Sequence, residues 1–222
     1  MLLAWIAATG AVCAVAAAGA RYLRSDARLE SAAEKLPLTP MHQVADGRRV
    51  KVAGIVDPES ARLSGPITGR LCVAWSVDVQ AWDSRNHVWY DVLTEWRSED
   101  FVLVGDGVSA RVVIDGAKVV YEHDNEACAT SRTPPPERVR EFLARHGFSL
   151  NYMGRRMYRC REAVLEPGER IVVVGKARRE LDGTPVGGGG GAYREPPQRL
   201  VFAAAGAAPL WIFDGGGRPR AS

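Results

Sequence analysis

Cysteine is scarce in this chain, with only Cys13, Cys72, Cys128 and Cys160 among 222 residues. They lie far apart, and those after the first apolar run are odd in number, so a disulfide framework is excluded. No two cysteines are two to four residues apart, and His42, His87, His123 and His146 share no ligand spacing, so no zinc site is expected. Lysine is scarce as well, since 25 of the 29 basic residues are arginine. With abundant alanine, glycine and proline, that bias points to a GC-rich, prokaryotic genome. A net charge of +3 is too small to imply a polyanionic partner by itself. No nucleophile stands in a strand-to-helix elbow or beside a histidine, and Glu162, Glu166 and Glu169 read as a solvated rim at a strand entry. The glycine run Gly187 to Gly191 has no Lys-Ser or Lys-Thr after it, so it reads as a flexible hairpin tip rather than a nucleotide loop. The sequence thus calls for no catalytic residue, no metal and no cofactor.

Charge is absent altogether from Leu2 to Ala20, an apolar run of 19 residues that then meets Arg21, Arg24 and Arg28. About 18 or more such residues are needed to cross the hydrocarbon core as a helix, so residues 1–24 are expected to form a transmembrane anchor. Ala18-Gly19-Ala20 also offers a signal-peptidase pattern; the missing basic segment before the run and its length favour retention. Gly10, Ala14 and Ala18 form a small-residue stripe through which two such helices can associate. Arg21, Arg24, Arg28 and Lys35 crowd the C-terminal flank, which places the following body in the cytoplasm and makes this a single-pass membrane protein. Leu29, Ala32, Ala33 and Leu36 continue at helical spacing, so residues 25–37 read as a helical stalk stopped by Pro37. The folded body occupies residues 38–214 and a flexible tail residues 215–222. Leu200 to Phe213 is too short, and broken by Pro209, to be a second span.

Within the body the pattern is mainly β. Arg49 to Val56 is a strand with β-branched residues two apart, and Asp57-Pro58 closes it. Trp75, Trp82, Trp89 and Trp96 lie seven apart on a hairpin folded between Arg85 and Asn86. That fold predicts Trp75 opposite Trp96, Val77 opposite Thr94, Val79 opposite Val92 and Ala81 opposite Tyr90 on an apolar face. It puts Ser76, Asp78, Gln80 and Trp82 opposite Glu95, Leu93, Asp91 and Trp89 on the other face, where Trp82 and Trp89 are candidate partner contacts. Phe101 to Val104 and Ala110 to Ile114 follow as a meander, with Asp106-Gly107 as its turn. A single helix is predicted from Thr133 as cap, through Pro134 to Pro136, with Val139, Phe142, Leu143 and a packing His146 on one side and Gly147 past its end. Arg170 to Gly175 echoes Arg49 to Gly54, as a weak duplication or as two strands with similar roles in one barrel. Leu200 to Ala204 and Leu210 to Phe213 read as closing strands.

From Arg138 to Arg161 there are seven arginines and one acidic residue, Glu141, with Phe148, Tyr152 and Tyr158 interleaved. Arg155, Arg156, Arg159 and Arg161, with Tyr152 and Tyr158, are the candidates for contact with lipid headgroups or a protein partner. Some arginines, Arg140 among them, serve only to solvate a helix face. Nucleic acid is the least favoured partner.

Together, Val50 to Val56, Pro66 to Val73, the tryptophan hairpin, Phe101 with Asp106-Gly107, and Cys160 to Leu165 leading into Gly168 and Val174-Gly175 resemble the GIDE, or beside-a-membrane (BAM), domain. That family comprises mitochondrial E3 ubiquitin ligases and their prokaryotic relatives. The resemblance covers about Leu38 to Phe213 and implies a barrel-like antiparallel β domain with one inserted α-helix after the transmembrane helix. In the eukaryotic relatives a second span and a zinc-binding RING follow; here no cysteine follows Cys160, so the ligase chemistry is not carried over. The expected function is a binding or scaffolding module at the membrane surface, with lipids and an unidentified protein as partners. The alternative is an E3 ubiquitin ligase-like component whose catalysis depends on another protein.

Overall fold

The computed structural model describes residues 31, 33, 35–120, 125–129, 134–148, 157–181, 198–204 and 209–214. The chain divides into two units, Met1–Pro37 and Leu38–Ser222. In the first, Ser31 and Ala33 are helical, and the Lys35 amide donates to Ser31 O at 3.3 Å. The helix is gone by Pro37, whose ring and missing N–H oppose a further turn. The run Leu2 to Ala20 lies outside the described residues, and among the described residues no helix is long and apolar enough to cross a membrane.

The second unit is mainly β. Its strands are β1 (Arg49–Val56), β2 (Leu63–Ser64), β3 (Leu71–Cys72), β4 (Ala74–Asp83), β5 (Val88–Ser98), β6 (Phe101–Gly105) and β7 (Val108–Val112). They continue as β8 (Lys118–Val120), β9 (Asn125–Ala129), β10 (Tyr158–Leu165), β11 (Arg170–Leu181), β12 (Gln198–Ala203) and β13 (Trp211–Phe213). The described α-helix of this unit, α1 (Glu137–Arg145), falls between β9 and β10.

Five strands close a barrel in the order β1-β6-β7-β12-β11, with β11 pairing back onto β1. Alternation supplies its interior: Val52 and Val56 of β1, Phe101 and Leu103 of β6, and Ile171 and Val173 of β11 point inward and are buried. The expected antiparallel barrel needs one correction, because β7 and β12 run parallel with Ala110 opposite Leu200. Parallel neighbours require a long crossover, and the whole segment from Val112 to Gln198 provides it. The order, with this one parallel seam, is that of a five-stranded OB-type Greek-key barrel.

The echo between Arg49–Gly54 and Arg170–Gly175 has a structural meaning. The two segments are antiparallel neighbours in the barrel, with Val52 opposite Val173. Their matched glycines each admit a leucine: a β-carbon on Gly54 would lie 2.6 Å from Leu103 Cγ, and one on Gly175 would collide with Leu210 Cδ1. Similar barrel positions thus account for the likeness.

Two insertions build a second layer. The one between β1 and β6 carries β2 to β5, and the one between β7 and β11 carries β8, β9, α1 and β10. They join where β4 pairs along its length with β10, giving a four-stranded sheet in the order β5-β4-β10-β9. On one side of this sheet α1 buries Val139, Phe142 and Leu143 against Trp75, Val77, Val79, Tyr158 and Cys160. The helix starts after Pro136 without a side-chain cap; Thr133, the expected cap, lies outside the described residues. Its end is as expected, with Gly147 in the left-handed region at φ 76°.

The hairpin departs from the predicted pairing. Near the turn Trp82 faces Trp89, Ala81 faces Tyr90 and Gln80 faces Asp91, but the register shifts between Gln80 and Val79. Beyond it Val79 faces Leu93, Val77 faces Glu95 and Trp75 faces Arg97. One extra residue in β5 exchanges the two faces of the strand. Trp96, expected opposite Trp75 in the core, therefore pairs with Ser76 and is 68% exposed, whereas Trp75 is 5% exposed.

Candidate recognition face of the four-stranded sheet

The side of the sheet turned away from α1 brings together residues that are far apart in sequence. Cross-strand neighbours share a face, so Gln80 and Trp82 of β4 stand beside Asp91 and Trp89 of β5 and Arg159 of β10. The next row holds Asp78, Arg161 and Glu126. The guanidinium of Arg159 sits 4.6 Å from the ring centre of Trp89, a cation–π contact. Trp89 in turn packs on Trp82 with ring centres 5.4 Å apart, and His87 meets the far edge of Trp82 at 6.1 Å.

Gln80 is the hub. Its Oε1 accepts from Arg159 Nε at 3.0 Å, from Arg159 Nη2, and from Arg161 Nη2 at 2.7 Å. Its Nε2 donates to Asp91 Oδ1 at 2.7 Å. Glu126 Oε2 lies 3.9 Å from Arg159 and 3.8 Å from Arg161, and the Thr94 hydroxyl donates to Asp78 at 2.8 Å. Among the described residues, Arg161 Nε is buried without a hydrogen-bond partner. These contacts hold the two arginine side chains at 21% and 29% exposure and pair them with the protein's own acceptors. Such ordering removes in advance the rotamer entropy that binding would otherwise cost.

The other predicted residues divide between two sides. Tyr158, one residue from Arg159, points the opposite way; it is 2% exposed and packs against Phe148 at 6.0 Å, so it belongs to the core under α1 and not to a surface. Arg140 pairs with Glu137, and Arg145 lies over Phe142 at 5.6 Å. His146 packs on Phe142, and its Nε2 meets Glu95 Oε2 at 2.7 Å, as a packing histidine should. Tyr152, Arg155 and Arg156 lie outside the described residues. Among the described residues, α1 and the Arg159–Arg161 pair occupy opposite sides of the sheet.

Glu162 and Glu169 depart from the solvated rim expected of the glutamates, whereas Glu166 stays partly exposed and pairs with Arg70 at 3.2 Å. Glu162 is fully buried and accepts from Ile67 N at 2.8 Å, Thr68 N at 3.1 Å and the Thr68 hydroxyl at 2.5 Å. It pins the Gly65–Arg70 turn, where the Arg138 guanidinium lies over Gly69 so closely that a β-carbon would come within 2.7 Å of it. Glu169 is half-buried at the mouth of β11. Burial, and then a hydrogen bond with the Asp214 carboxyl, push its pKa up to about 8. Burial also raises the Cys72 thiol to about 11 and the Cys160 thiol to about 12, so neither offers a thiolate at neutral pH. Among the described residues no group of three or more histidine, cysteine or carboxylate side chains is placed to hold a metal ion.

Sequence reasoning missed three of these features. Trp96 was hidden by the bulge, Gln80 by the remoteness of its arginine partners, and Glu162 by the ordinary look of a glutamate among charged neighbours. Strict alternation from Cys160 to Val164 did carry a signal, since it places Glu162 on the apolar side of β10. No family model, curated protein or solved structure matches the chain.

Proposed function

We propose that the chain is a membrane-tethered binding module of the GIDE kind, which scaffolds a protein partner through the outer face of its four-stranded sheet and performs no chemistry of its own. The observation that carries this reading is the stack of Arg159 on Trp89, with both arginines hydrogen-bonded to Gln80. Tryptophan and arginine, ordered and partly desolvated, are the residue types that dominate protein–protein hot spots. Lipid headgroups draw on basic side chains near the membrane surface, whereas Arg159 and Arg161 are already matched to Gln80 and Glu126. The face therefore fits a protein better than a lipid surface, and lipid contact falls to the apolar run Leu2 to Ala20 and its arginine flank.

Crosslinking of the full chain in intact membranes, followed by mass spectrometry, tests the proposal. A partner captured by the parent chain should be lost with Trp89→Ala and with Arg159→Ala while the melting temperature stays within a few degrees, as expected of surface changes. Capture that survives both substitutions would overturn it.

A further inference from the structure

A second site lies on the barrel. The turn after β1 meets β6, β7 and β12 around a cleft of about 400 Å³ that brings Arg62, Arg111 and Arg199 together with Asp57, Glu59 and Asp100. The turn is fastened to β6 by Asp57 N to Val102 O at 2.9 Å and by Val102 N to the Ser60 hydroxyl at 2.9 Å. Period two places Arg111 and Arg199 on the outer barrel wall, because Arg111 is opposite Val201 and Arg199 lies two residues before it.

The charges are not equally engaged. Asp100 accepts from Arg111 Nη2 at 2.7 Å and from Ile114 N at 3.1 Å. Asp57 accepts from Glu59 N at 3.0 Å, and Arg62 Nη1 is held by the carbonyls of Glu59 and Ala61. Arg199 is half-buried in the cleft, its backbone paired opposite Glu180 of β11, and its side chain makes no hydrogen bond or ion pair among the described residues. A partly buried guanidinium without a partner is costly, and a bidentate oxyanion is its natural complement.

We propose that this cleft binds a phosphorylated polyol. Arg199 takes the phosphate, with the unused N–H groups of Arg62 and Arg111 beside it, and the carboxylates of Asp57 and Glu59 accept hydroxyls. A second anionic group on the ligand would be repelled by those carboxylates, so one phosphate among several hydroxyls matches the lining best. The volume suits one sugar-sized ring. Phe101 at the cleft is 2% exposed, so no aromatic floor is offered to a flat apolar ligand. The same chemistry exists as a free sugar phosphate and as a phosphatidylinositol headgroup, and the site is independent of the tryptophan–arginine face.

Calorimetric titration of the full chain in detergent with glucose phosphate and with inorganic phosphate tests this, together with flotation on phosphatidylcholine vesicles with and without phosphatidylinositol. Glucose phosphate should bind at least about tenfold more tightly than inorganic phosphate, and Arg199→Ala should weaken it by about tenfold or more, given what hydrogen bonds to charged groups contribute. Arg199→Lys should recover part of the loss, and Arg178→Ala, outside the cleft, should lose nothing. Binding confined to phosphatidylinositol vesicles and sensitive to Arg199→Ala would assign the headgroup as the source. Equal affinity for inorganic phosphate, indifference to Arg199→Ala, or no binding in either format would overturn the proposal. Trp89→Ala should leave this binding intact, so failure here is distinguishable from failure of the scaffold reading.

Discussion

The barrel and the four-stranded sheet solve the same problem with different materials. Inside the barrel the alternate residues are apolar throughout, and β1 and β11 close it with Val52 against Val173. The sheet buries Glu162 completely beneath its helix, leaves Trp96 at 68% exposure and covers its outer side with paired arginines and tryptophans. A closed barrel has no unpaired edge and one inside, so apolar alternation suffices. A sheet assembled from two remote insertions has two faces to specify, and polar contacts together with a bulge do the specifying.

The sharpest way to test that contrast is to truncate two tryptophans of the same hairpin. Trp75→Ala should cost about 3–5 kcal/mol in denaturant unfolding, because it opens a cavity beneath α1. Trp96→Ala should stay within about 0.5 kcal/mol of the parent, since it only uncovers surface. Comparable losses at both positions would mean that the register is continuous and the bulge is wrong.

Glu162→Ala probes the polar half of the comparison at somewhat smaller cost. The buried amide of Ile67 and the part-buried amide of Thr68 would lose their acceptor, and about 2–4 kcal/mol should follow. Hydrogen exchange should then lose protection first in Gly65–Arg70 and in β4, while β1 and β11 keep theirs. Uniform loss across both layers would show that sheet and barrel unfold as one unit.

The barrel mouth probes the comparison through pH. The Glu169 carboxyl titrates near 8 in the fold against an ordinary value of 4.5. Its contribution is therefore present in full below 4.5 and is lost as the pH rises through about 8. Unfolding midpoints should decline between those values, and Glu169→Gln should flatten the decline. A midpoint that rises over the same range would contradict the Glu169–Asp214 pairing.

Much of this was legible in the chain. Period two in Arg49–Val56 and Arg170–Gly175, the turn signals around Gly107 and Gly168, and the amphipathic spacing of Val139, Phe142 and Leu143 are local properties, and each produced the element it announced. The candidate site was half legible. Trp82 and Trp89 were placed on a polar face and Arg159 and Arg161 were singled out, yet nothing local said that these two pairs share that face.

What the sequence by itself determined is the five barrel strands, the tryptophan hairpin, the helix Glu137–Arg145 and the apolar identity of the barrel interior, because backbone periodicity and turn chemistry act between neighbours. The tertiary structure alone decided the parallel seam at β7 and β12, the burial of Glu162, the outward turn of Trp96 and the meeting of Arg159 with Trp89. The turn of Trp96 follows from the bulge in β5, and the others depend on pairings between segments 70 or more residues apart; in both, a one-residue shift of register reverses every side chain and leaves no trace in the local pattern.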